Sequence, residues 1–110
     1  MERGVYMLYM VLDEKKDKYY VKVGMSRNIP QRQNQYHSHS PSVIFLCSCA
    51  GTEREEIDAH SFIRSFSLKG SPHNEWFLVS KEFYEKCIKE GLKIIPKCAN
   101  KKIYWHEKYK

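Results

Sequence analysis

A chain of 110 residues has room for one hydrophobic core and not for a second, so whatever it does happens on one surface or in one cleft. With 42% apolar and 14% aromatic residues it is no disordered chain, and no apolar run reaches the roughly 18 residues of a membrane span. The formal charge of +6 favours a polyanionic partner without requiring one. No signal-like segment opens the sequence, and the expectation is a soluble intracellular protein. Cys47, Cys49, Cys87 and Cys98 lack a secretory context and read as free thiols. The Cys-x-Cys pair sits in an apolar strand-like run, not in the knuckle that structural zinc uses, although His37 and His39 are near in sequence.

In chain order, residues 5–12 (VYMLYMVL) and 19–25 (YYVKVGM) are apolar, β-branched and aromatic, with the charged DEKKDK between them, which predicts an antiparallel hairpin. Asn28 as N-cap and Pro30 in the first turn predict a helix from about Ile29 to His37, ending before Pro41. Residues 42–49, between Pro41 and Gly51, form a third strand. Thr52 and Glu55 make a capping box for a helix over 53–66, with Ala59, Phe62, Ile63 and Phe66 as its buried stripe. The segment SLKGSPHN is turn material and EWFLV a short strand, in which alternation with Leu78 and Val79 assigns Trp76 and Phe77 to the core. Ser80 caps a third helix that stops at Gly91. The order is β-β-α-β-α-β-α, a small α/β or α+β domain, followed by a basic aromatic tail over 96–110.

Four places hold polar residues that packing does not demand. Gly4-Val5-Tyr6 opens the first strand, though tyrosines also fill sheet faces routinely. Lys22-Val23-Gly24 closes the second, where a lone lysine is also an ordinary guard of a sheet edge. Arg32 and Tyr36 stand four apart and share a helix face, which solvent alone would explain. Glu56 and His60 repeat that spacing, and Glu56 falls at the rim of the apolar stripe, where a carboxylate is either paired with a cation or holding a metal. His60 reads equally as a partner of Glu56, a general base or a histidine packed at the core edge.

Taken together, the order and spacing of these residues resemble the GIY-YIG nuclease superfamily: a strand opened by Gly-Val-Tyr, a hairpin, Val-Gly, an arginine at the eighth position past that glycine, an aromatic four beyond, then a helical glutamate. The segment VKVGMSRNIPQR with NEWFLV is similar to the branch whose second motif reads Lys-Ile/Val-Gly and which ends in Glu-Trp-Phe, found in phage and viral open reading frames and a meiotically up-regulated fungal protein. The likeness spans residues 4–79. It implies a catalytic sheet of three antiparallel strands flanked by helices, cleaving DNA with one divalent metal ion, Mg²⁺ or Mn²⁺. On that likeness Tyr6 is the base or orienter beside the attacking water, and Gly4 and Gly24 are structural glycines, with Gly24 ending the strand in a tight turn. Arg32 is the helical arginine at the phosphate, Tyr36 the aromatic or histidine one turn later, Glu56 holds the metal, and Asn74 matches an asparagine near the domain end. Lys22 stands where the wider superfamily has its second tyrosine, as is usual in this branch.

The chemistry agrees, since phosphodiester hydrolysis needs a positioned water, a proton acceptor and positive charge against the transition state. Arg32 offers a bidentate fork and Lys22 a point charge. In the tail, Lys101, Lys102, Tyr104 and Trp105 interleave cations with aromatics. That suits a nucleic-acid backbone and unstacked bases, or equally an arm that packs its aromatics on the body and leaves its lysines solvated. No small-molecule cofactor is expected. With no recognition domain, substrate preference would come from DNA structure, oligomerisation or a partner protein. The alternatives are an inactive nucleic-acid-binding module of the same fold and a basic protein-interaction domain.

Overall fold

A computed structural model describes residues 6–69 and 75–109, so Gly4, His73 and Asn74 lie outside the described residues. Strands β1 (Met7–Lys15) and β2 (Lys18–Ser26) form the expected hairpin. Its two turn residues, Lys16 and Asp17, both have left-handed φ, 51° and 63°, the backbone that matches the twist of the flanking strands. Helix α1 (Ile29–His39) starts where Asn28 accepts from the Gln31 amide, and runs slightly further than its caps suggest. Strand β3 (Ile44–Ala50) is followed by α2 (Glu53–Arg64), opened by the full Thr52–Glu55 capping box. Strand β4 (Phe77–Val79) leads through the Ser80 cap into α3 (Lys81–Glu90), and β5 (Tyr104–Trp105) closes the order.

The architecture is α+β, with a five-stranded antiparallel sheet in the order β4-β2-β1-β3-β5. The expected three-stranded sheet is therefore corrected. The trio β2-β1-β3 is its centre, and a short strand is added at each edge. β4 pairs with Tyr19–Val21 of β2, and β5 pairs with Cys47 and Ser48 of β3. A two-residue strand carries no periodicity of its own, and pairing alone makes it one.

The sheet's two faces are covered differently. Alternation along β1 and β2 sends Leu8, Met10, Leu12, Val21 and Val23 to one face, where they meet Ala59 and Ile63 of α2, Phe83, Tyr84 and Cys87 of α3, and the short turns carrying Leu92, Ile95 and Cys98. The apolar cluster of the opposite face is small, Tyr9, Val11, Val43 and Phe45, roofed by Ile29 and Tyr36 of α1 and by Trp76. All four cysteines are buried and free. Phe66, expected in the buried stripe of α2, lies beyond the end of that helix, 45% exposed and stacked on Phe83 at 4.4 Å. No helix among the described residues is long and apolar enough to cross a membrane.

Gly24 does not end its strand. β2 continues to Ser26, and Gly24 sits buried within it, opposite Tyr9. A Cβ there would fall 2.4 Å from the Tyr9 hydroxyl oxygen, so the glycine makes room for a tyrosine ring laid across the neighbouring strand.

Candidate active site

Because β4 covers only Tyr19–Val21, the outer edge of β2 has no strand partner among the described residues from Lys22 onward. Helix α2 comes alongside that edge, drawn in by the burial of Ala59 and Ile63. Its His60 donates from Nε2 to the Val23 carbonyl at 2.6 Å, since a carbonyl oxygen only accepts. One turn earlier Glu56 lies with Oε2 3.8 Å from the same nitrogen. Glu75, whose left-handed backbone (φ 69°) precedes β4, completes a group: a ligand atom from each of Glu56, His60 and Glu75 lies within 4.8 Å of the others. Partial burial and the charges of Glu75 and Glu53 push the Glu56 carboxyl above the usual carboxylate range, against the opposing pull of His60 and Lys22.

On the α1 side of the same edge stand the cations and phenols. Lys22, half-buried, holds Nζ 5.6 Å from the Tyr36 ring centroid and 5.9 Å from that of Trp76. Its charge also reaches Glu56, so the lysine serves the site as well as the sheet edge. Tyr36 bonds hydroxyl to hydroxyl with Tyr9 at 3.2 Å, and Tyr9 stacks on Phe45 with centroids 5.1 Å apart. Burial, followed by the Tyr36 hydrogen bond, raises the Tyr9 pKa well above the ordinary phenol range, while Arg32 pulls the other way. Arg32 has no carboxylate partner among the described residues, which leaves its fork open to an oxyanion.

The structure thus gathers Lys22, Arg32, Tyr36, Glu56 and His60 around the open stretch of β2, and sets Tyr6 apart. Extending the β1–β2 ladder one pair beyond Met7–Ser26 sets Tyr6 opposite Arg27, whose guanidinium lies 4.4 Å from its ring centroid. Tyr6 is 45% exposed and three residues from Tyr9, so the two belong to opposite faces. The tyrosine in the cluster is Tyr9. Only the hairpin register, set by the two-residue turn at Lys16–Asp17, puts Tyr9 opposite Gly24. Glu75 was the other residue missed, and only the fold brings it beside Glu56.

Of the tail residues, Lys101 is tied to the Glu55 carboxylate at 2.6 Å and to the Ala50 carbonyl at 2.7 Å. Trp105 packs against the core and fills the space a Gly91 side chain would need. Lys102 sits over the exposed ring of Tyr104 at 5.2 Å. Lys101 and Trp105 are thus held against the body, whereas Lys102 and Tyr104 stand exposed.

A basic α+β domain that collects carboxylates, an open arginine and paired phenols at one sheet edge is a nuclease-like or DNA-binding module. Residues 4–91 match the T5orf172 domain, and the chain belongs to that family, a phage-associated domain related to GIY-YIG and HNH-like nucleases. No curated protein and no solved structure matches the chain.

Proposed function

We propose that the protein is an endonuclease of GIY-YIG type that hydrolyses DNA phosphodiester bonds with Mg²⁺ or Mn²⁺. The supporting observation is the convergence of Glu56, His60 and Glu75 with Lys22, Arg32 and the Tyr9–Tyr36 pair around one unpaired stretch of β2. Two carboxylates are hard oxygen donors, the chemistry that suits these cations. His60 Nε2 is engaged with the Val23 carbonyl and stands 3.8 Å from Glu56, beyond hydrogen-bond reach, so the binding falls to Glu56 and Glu75. When bound, the cation would supply Lewis-acid charge against phosphate oxygens.

The chain's own groups supply the rest. Arg32 grips two phosphate oxygens, and Lys22 adds a positive charge where negative charge gathers in the transition state. Tyr9, held in its protonated form, donates to the Tyr36 hydroxyl and aims the attacking water by accepting from it. Tyr9 thus takes the orienting half of the role that the motif assigned to Tyr6.

A second reading, an inactive DNA-binding module, is favoured by one feature, Lys22 in place of a tyrosine. A cleavage panel on supercoiled, single-stranded and branched DNA separates the two. Under the nuclease reading wild type cuts with Mg²⁺ or Mn²⁺ and Glu56→Gln loses roughly 100-fold or more. Equal cutting by Glu56→Gln refutes the site. No cutting by wild type on any form, with binding that falls steeply with salt, selects the second reading.

A further inference from the structure

Beside the cluster a cleft of about 300 Å³ opens between α1 and the segment before β4, lined by Arg32, Gln35, Tyr36, His39, Ser40 and Trp76. The four helical residues recur at i, i+3, i+4 and i+7, one face of α1, so the cleft is a continuous strip along that helix. Arg32 and Tyr36 belong to the phosphate-facing cluster as well. The strip therefore starts where a phosphate would be held and runs toward the C-terminal end of α1. None of its lining residues is acidic.

Trp76 gives the cleft its character. Phe77 and Val79 point into the main core, whereas Trp76 stands on the other face, half-buried, edge-on to Tyr36 with centroids 6.4 Å apart. Of the two residues assigned to the core, Phe77 is buried in the main one, and Trp76 packs half-buried on the smaller cluster of the other face. An indole at one wall, with an amide, an imidazole and a hydroxyl along the other, matches a flat heteroaromatic ring with polar edges. The cleft lies at the lower end of ligand-pocket sizes, fit for one such ring and not for a folded partner.

We propose that this cleft is a nucleobase subsite, which receives the base of the nucleotide next to the scissile phosphate. The base stacks on Trp76, and Gln35 and His39 meet its polar edge. This deepens the nuclease reading and rests on it. A base inside a continuous duplex cannot enter, so the subsite selects single-stranded, mismatched or branched DNA, where unstacking costs least.

The test uses Glu56→Gln protein, which binds without cutting, and labelled single-stranded oligonucleotides carrying one abasic position, walked across the cut site that wild type defines. The expected result is a loss of affinity of roughly 5- to 150-fold at one position flanking the cut, and little elsewhere. Adding Trp76→Ala should cost a similar factor on intact DNA and erase the abasic effect, while Trp76→Phe keeps both. Because Gln35 and His39 are exposed, Gln35→Ala and His39→Ala give a second measurement free of folding effects and should weaken binding several-fold at that position only. A flat abasic scan, or an abasic effect that survives Trp76→Ala, overturns the subsite while cleavage by wild type keeps the nuclease reading. Absence of both cutting and salt-dependent binding overturns the two together.

Discussion

Beneath the sheet, Leu8, Met10, Leu12, Val21 and Val23 meet Ala59, Ile63, Phe83 and Leu92, none of them more than 7% exposed. Above it the buried apolar cluster is Tyr9, Val11, Val43 and Phe45, and the helix that roofs them, α1, buries none of its own residues. The first face supplies most of the apolar burial that stabilises the domain. The second is thin, aromatic and polar, and leaves Lys22, Arg32, Tyr36 and Trp76 partly exposed. A domain this small separates the two tasks by giving one side of a sheet to each, with Glu56 and His60 of α2 reaching past the β2 edge to join them.

Substitutions on the two faces should therefore behave as opposites. Ile63→Ala, a truncation in the dense core, should cost about 2–5 kcal/mol of stability in a urea titration, with activity per folded molecule kept. Arg32→Ala inverts that pattern. On the proposed chemistry its cleavage rate should fall roughly 100- to 1,000-fold while the melting temperature hardly moves. Gly24→Ala tests the join between the faces, because its methyl group collides with a Tyr9 ring already confined by Phe45 and Tyr36. A stability loss of about 1–3 kcal/mol is expected, together with lost cleavage, and adding Tyr9→Leu should restore the stability and not the cleavage.

A smaller effect concerns pH. Burial and the Glu75 charge hold the Glu56 carboxyl above the usual range, so it takes up its proton sooner as pH falls, and metal-supported cleavage should fade at a higher pH than an exposed carboxylate would give. The stability sign is the reverse: the ionised, partly desolvated form costs the fold, and acidification through the raised pKa removes that cost. Glu75→Gln should weaken Mn²⁺ binding and move the acid limb of the cleavage profile downward. An unmoved limb would deny Glu75 its place beside Glu56. Smallest of all, Lys101→Ala should cost about 1 kcal/mol or less, by releasing Glu55 from a half-exposed pair far from the cleft.

What the residues disclosed in advance was local. Asn28 with Pro30, Thr52 with Glu55 and Ser80 each announce a helix start, because a capping group lies within three residues of the amide it serves. The helical pairs Arg32–Tyr36 and Glu56–His60 were equally plain, since spacing of four fixes a shared face. Relations between elements were not. Tyr9 lay hidden in an almost unbroken apolar run, where only the hairpin register separates one face from the other. Glu75 meets Glu56 by way of a short strand and one left-handed residue, a geometry no periodicity encodes. The split between Trp76 and Phe77 likewise depends on where β4 pairs, and β5 exists only because β3 offers it an edge.

The brevity of the two outer strands has a consequence for how the molecule behaves among its own copies. An open sheet ends in rows of unsatisfied amides and carbonyls, which recruit strands from other chains and seed aggregation. Here one border is three residues long and the other two, too short to template a foreign strand. Where β2 runs bare beyond β4, His60 already occupies the Val23 carbonyl and Lys22 places a charge beside it. The residues of the candidate site thus also keep a half-uncovered sheet from pairing with its neighbours, so His60→Ala should show itself first as a protein that self-associates on concentration.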